Sequence, residues 1–129
     1  MTQAGLGPIG QISRTVADIA AAAAWYRDVL GLAHLYTFGN FAFFDCGGTR
    51  LMLTAGEQDE RPPQDRYIIY FRVPDIRMAH AELTARGAVF DSEPHMIHRH
   101  ADGTEEWMAF LKDNEGRPVG IMCQVPPGR

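Results

Sequence analysis

Apolar residues along this chain recur with two periods, and the switch between the two happens twice. In the stretch Ile9 to Val16, Ile12 and Val16 fall on one side and Gln11, Ser13 and Thr15 on the other, the alternation of a half-buried strand. Arg14 interrupts the apolar side, and the pattern alone gives no account of it. From Ile19 the period changes: Ile19, Ala23, Tyr26 and Leu30 recur at helical spacing. Asp18 stands where an N-cap belongs, and Gly31 suits the left-handed position that ends a helix. Strand-like runs follow at Leu35 to Phe38, Phe41 to Cys46 and Arg50 to Thr54, with Gly47-Gly48 predicting a hairpin turn between the last two.

The same order then returns. Val16-Ala17-Asp18-Ile19 reappears 57 positions later as Val73-Pro74-Asp75-Ile76. It opens a second helix through Ile76, Ala79 and Leu83 that stops at Gly87. Val89-Phe90, Met96 to His100, Glu106 to Leu111 and Val119 to Gln124 read as further strands, divided by Asp102-Gly103 and Asn114-Glu115-Gly116. The expected fold class is therefore α+β: two βαβββ modules, at roughly residues 7–56 and 67–125. Residues 55–66, with Gly56, Pro62, Pro63 and several charges, read as the linker. A repeat this small cannot bury its own sheet face. The expectation is a single domain whose curled mixed sheet surrounds a central groove, with the helices outside.

Composition narrows the function classes. A chain of 129 residues has room for one domain or two small modules sharing a core. A net charge of −4 lacks the basic face that neutralises phosphates, which argues against a nucleic-acid partner. No apolar run approaches the roughly 20 residues that cross a bilayer, and Met1 to Gly5 has no signal-peptide pattern, so no membrane partner is expected. Cys46 and Cys123 are too few for a disulfide framework, and a cytoplasmic location is expected. Neither cysteine has the surroundings of a catalytic thiol, and Gly5-Leu6-Gly7 lacks the context of a phosphate-binding loop.

Val-x-Asp-Ile, Trp25-Tyr26-Arg27-Asp28-Val29-Leu30-Gly31-Leu32 and Phe110-Leu111-Lys112-Asp113-Asn114-Glu115-Gly116 together resemble the vicinal oxygen chelate superfamily. That superfamily includes glyoxalase I, extradiol dioxygenases and bleomycin-resistance binding proteins. The resemblance covers nearly the whole chain and implies a homodimer. It also implies four inward strand positions that hold a metal in metal-dependent members, commonly as His or Gln, Glu, His and Glu. Here those positions carry Gln11, Met52, Ile68 and Gly120. One amide oxygen and a soft thioether do not make a divalent centre, so no metal cofactor is expected.

Other chemistry remains. His98 and His100, two apart on a strand beside His95, share a face, and Glu105 or Glu106 could add a carboxylate. As metal ligands they compete with a plain role as solvent-facing or hydrogen-bonded histidines beside a turn; as pocket residues they could donate protons or hydrogen bonds. Arg50 shares the parity of Met52, and Tyr70 that of Ile68. An inward Arg50 would bind a carboxylate or phosphate; at the sheet rim it would reach water instead. Phe110 is expected toward the helix, which would turn Trp107 inward to stack on a planar ligand; the competing role for Trp107 is core or interface packing. The expected ligand-binding set is Gln11, Arg50, Met52, Tyr70, His98, His100 and Trp107. Three functions follow: a metal-independent protein that binds a small, partly aromatic molecule; a metal-independent isomerase, epimerase or lyase; or a metal enzyme with a site relocated to the histidines.

Overall fold

Both helices begin where a carboxylate meets the free N–H groups of a first turn. The computed structural model describes residues 8–55 and 68–128. In it, α1 spans Ile19–Asp28 and α2 spans Ile76–Ala85. The Asp18 carboxylate accepts from the Ala21 N–H at 3.0 Å, and that of Asp75 from the Met78 N–H at 3.0 Å. These are the bonds that make aspartate a good N-cap. Gly31 and Gly87 follow the two helices with φ of 78° and 106°, a region that favours glycine.

Two compact units divide at Glu60/Arg61. The expected linker, Ala55 apart, lies outside the described residues. In the first unit, β1 (Gln11–Thr15), β2 (Ala33–Phe38), β3 (Phe41–Cys46) and β4 (Thr49–Thr54) form a sheet in the order β1-β4-β3-β2. β1 runs parallel to β4, and the other pairs are antiparallel. Gly47 and Gly48 both take positive φ, 65° and 98°, as a two-residue hairpin of the primed type demands.

The second unit contains β5 (Ile69–Arg72), β6 (Val89–Phe90), β7 (His95–Arg99), β8 (Glu105–Lys112) and β9 (Pro118–Val125). Its path is β5-β9-β8-β6, with β7 also paired to β8. Four strands, rather than the three of the first module, therefore follow α2. β6 pairs with Leu111 and Lys112 at one end of β8, whereas β7 pairs with Glu105 to Met108 at the other. One edge position is split in two, and the break contains buried Pro94, which has no N–H to give a ladder. The repeat survives in the backbone: Val16 N–H donates to Thr54 C=O, and Val73 N–H to Met122 C=O, each at 2.9 Å.

Each helix packs on one face of its own sheet. Under α1 lie Val16, Ala42, Phe44, Leu51 and Leu53, met by Ala22, Ala23 and Tyr26. Under α2 lie Ile69, Ala109, Leu111, Val119, Ile121 and Cys123, met by Ile76 and Leu83. The structure also accounts for Arg14. Its side chain is fully buried in the first core, and its Nη1 donates to the Tyr26 hydroxyl at 3.1 Å. A guanidinium taken out of water is tolerated only when hydrogen bonds replace its hydration. Tyr26 is the helix residue that supplies one of these bonds.

Removing that acceptor should be costly even though Phe conserves the ring. Tyr26→Phe is expected to lower unfolding free energy by about 1–3 kcal/mol, the usual penalty for weakening a buried hydrogen bond to a charged group. Urea denaturation of both proteins measures it. An unchanged midpoint would mean that Arg14 is satisfied without Tyr26.

Candidate functional site

Alternation along the strands leaves each sheet with a second face, opposite its helix. In the first unit the buried positions Leu51 and Leu53 turn Arg50, Met52 and Thr54 to that face. Cross-strand register then sets Gln11 beside Arg50, Ser13 beside Met52, and Phe43 beside Met52 on the other flank. Phe41 and Asp45 share the face of Phe43, and Tyr36 pairs with Phe43 from β2.

A polar corner and an aromatic flank result. The Arg50 Nε–H donates to Gln11 Oε1 at 2.7 Å, and the Gln11 amide nitrogen lies 3.9 Å from the Met52 sulfur. The guanidinium carbon of Arg50 sits 5.3 Å from the centroid of Phe43, within cation–π reach. The Tyr36 ring lies 4.7 Å from that of Phe43, and the Phe41 ring 6.4 Å from it in a stacked arrangement. Gln11, Arg50 and Met52 are thus brought together.

The helix-free face of the second unit has two parts. At one end the Tyr70 ring meets Phe110 edge-on at 5.8 Å, directly over Gly120. A Cβ on residue 120 would lie 2.7 Å from Tyr70 Cδ2 and 3.3 Å from Phe110 Cε1. Glycine makes room for both rings here. At the other end the Glu106 carboxylate accepts from His100 Nε2–H at 2.8 Å and from the Gln124 amide at 2.6 Å. The His98 ring stands edge-on to His100 at 4.7 Å. An ionised carboxylate can only accept, so the bond to Glu106 fixes the proton on Nε2 of His100. His100, then Gln124, hold the Glu106 carboxyl below its ordinary range, and the charge of Arg72 adds to the effect.

Trp107 lies on the opposite face from the one expected. Ala109 and Leu111 are fully buried beneath α2, and Trp107 shares their parity. The Arg77 guanidinium of α2 stands 5.1 Å from its ring centroid, and its indole N–H donates to Glu105 at 2.9 Å. Phe110, expected toward the helix, takes the helix-free face instead. The internal repeat suggested the helix side, but the space opposite Gly120 decides. Two further residues, Gln124 and Phe43, join the candidate faces although they are outside the expected ligand-binding set. Gln124 alternates with buried Cys123, and Phe43 with buried Ala42 and Phe44; that parity is the signal that finds them.

The side chains do not suit the metal that the resemblance implies. In the first unit the amide oxygen of Gln11 is engaged by Arg50, and its neighbour is a thioether. In the second, the space that a carboxylate side chain on residue 120 would enter is filled by the Tyr70 ring. Nor is the relocated site supported: among the described residues no group of three His, Cys, Asp or Glu could hold a metal ion. Burial, then the charge of Asp45, pushes the Cys46 thiol up, away from the thiolate a nucleophile needs.

The Glu106 network makes a pH-dependent prediction. A carboxyl depressed in the folded state contributes stability above its unfolded pKa, and that contribution is lost as pH falls through the folded value. Gln124→Leu removes one donor, so the Glu106 carboxyl should titrate at higher pH than in the parent protein. Carbon-detected NMR titration of the side-chain carboxyl measures this; an unmoved midpoint would show that Gln124 does not hold the charge.

Known proteins agree with this architecture. A family model described as the Glyoxalase/Bleomycin resistance protein/Dioxygenase superfamily matches residues 8–117. No curated protein matches the chain. Among solved structures, lactoylglutathione lyase from Agrobacterium tumefaciens is similar with a TM-score of 0.69 and 22% identity, over 92% of this chain and 94% of that one. A virulence protein from Salmonella typhimurium gives a TM-score of 0.72 at 21% identity, covering 93% and 98%. A glyoxalase/bleomycin resistance protein/dioxygenase family enzyme from Burkholderia phytofirmans PsJN gives 0.70 at 19%, covering 90% and 98%. At these identities the likeness is one of fold, but with the βαβββ repeat and the extent of the family match it is sufficient: the chain belongs to the Glyoxalase/Bleomycin resistance protein/Dioxygenase superfamily.

Proposed function

We propose that this protein binds a small, partly aromatic organic molecule on its helix-free sheet surface, without the metal centre used by other members of its family. The carrying observation is the engagement of Gln11 with Arg50. The amide at the family's first metal position holds an arginine over Phe43, beside a thioether and two further rings. A mostly apolar surface with a few fixed polar anchors is how drug-sized molecules are usually held. Sequestration of this kind requires no bond to be made or broken.

A second reading rests on the other unit. His100, with its Nε2 proton committed to Glu106, leaves Nδ1 as the lone pair available to accept a proton in the neutral ring. That arrangement supports a metal-independent isomerase, epimerase or lyase, in which Glu106 orients the imidazole and Gln124 holds Glu106. Whether a bound molecule is returned unchanged or converted separates the two readings.

The proposal includes a homodimer in the cytoplasm. Exposed apolar side chains such as Phe38, 73% accessible, and Leu35 on the edge strand β2 support association. No helix among the described residues is long and apolar enough to cross a membrane. Elemental analysis of dialysed protein should find no stoichiometric divalent metal, and chelator should leave Tm unchanged, since a structural or catalytic ion contributes directly to folding. The same sample should sediment at twice the 14.4 kDa chain mass. One equivalent of metal lost together with stability on chelation would overturn the metal-free reading; a monomer would overturn the dimer alone.

A further inference from the structure

We infer that the Arg50 guanidinium, held by Gln11 above Phe43, anchors the carboxylate of an aryl-carboxylate ligand. The inference rests on the binding reading above and names the class of molecule bound.

Arginine offers a carboxylate two kinds of fork, one using Nε with a terminal nitrogen and one using both terminal nitrogens. The Nε–H of Arg50 is committed to Gln11 at 2.7 Å, which leaves the Nη1/Nη2 fork. Among the described residues no side chain pairs with those two nitrogens. Asp45 faces Arg50 across the β3–β4 ladder, yet one of its carboxylate oxygens is turned into the hairpin, accepting from the Gly48 N–H at 3.1 Å. Gln11 itself has no charge to satisfy the guanidinium. It orients the group while leaving its positive charge for a ligand.

The surroundings specify the rest of that ligand. Phe43 lies beneath the guanidinium, Met52 is its cross-strand neighbour, and Tyr36 and Phe41 extend the ring surface to either side. Tyr36 and Phe41 are exposed, at 48% and 39%, so their faces are accessible. Neighbouring strands stand about 4.8 Å apart, so an aryl group one or two bonds from its carboxylate can span from the Arg50 fork to these rings. A phosphate could use the fork equally well, but a bare anion would leave the aromatic flank in water.

The test compares 1-naphthoate, 1-naphthamide and acetate by calorimetry on the full chain. The parent protein should bind naphthoate at least about tenfold more tightly than naphthamide, the scale of a charge-assisted fork. Arg50→Gln should abolish that preference, bringing the acid-to-amide affinity ratio to about one. Arg50→Lys should retain part of it, because the charge stays and the fork is lost. Phe43→Leu should weaken both naphthyl compounds by the same factor. Circular dichroism and thermal melts confirm that each variant is folded, and the acid-to-amide ratio is a readout that general destabilisation does not move. Equal binding of naphthoate and naphthamide would overturn the anchor and leave the aromatic-binding reading standing. Binding of neither would overturn both. Acetate binding as tightly as naphthoate, or a preference surviving in Arg50→Gln, would overturn the assignment.

Discussion

The packing of one helix against one face of each sheet is the constraint from which the rest of the structure follows. Burial of Phe44, Leu51 and Leu53 beneath α1 fixes the register of β3 and β4, because a slip of one residue would turn every apolar side chain to the wrong face. The same constraint sends Phe43, Arg50 and Met52 to the free face. In the second unit, Ala109, Leu111 and Ile121 play the corresponding part beneath α2 and send Phe110, Gly120 and Glu106 to theirs. Even the buried Arg14 belongs to this packing, since Tyr26 of the helix accepts its hydrogen bond.

The repeat, the caps and the turns were legible in the sequence because they depend on local chemistry. Asp18 and Asp75 cap because a short carboxylate reaches its own first turn, and Gly47-Gly48 turns because both residues must take positive φ. The motif from Phe110 to Gly116 likewise marks a turn, in which the Asp113 carboxylate accepts from the Glu115 and Arg117 N–H groups at 2.8 and 2.9 Å. The parity of Gln11 and Met52 could be read because their neighbours Ile12, Leu51 and Leu53 are unambiguously apolar. β8 offered no such cue. Glu-Glu-Trp-Met-Ala-Phe-Leu has large side chains at both parities, and the choice is made by small Gly120 on the adjacent strand, a non-local fact. The role of Arg14 depended on a tyrosine 12 residues away across the core.

The free faces carry side chains that differ from the ligand set the resemblance implies. Where the resemblance implies four ligands, the amide of Gln11 is bound to an arginine and Met52 lies beside it. The fourth position is a glycine roofed by Tyr70. Each replacement is compatible with its neighbours: Gly120 admits the Tyr70–Phe110 contact, and Gln11 orients Arg50. The cores beneath α1 and α2 are built from other residues. Two separate sets of side chains occupy the helix-free faces, one aromatic and cationic, the other built on His100 and Glu106.

The most direct test of this account is a map of backbone amide shifts as 1-naphthoate is added to isotopically labelled protein. The account predicts that the amides of Gln11, Phe43, Arg50 and Met52 move together along one saturating curve, while those of Ala22 and Ala23 on the buried side of α1 stay in place. Shifts concentrated on the helix-packed residues, with the Arg50 strand unmoved, would contradict it.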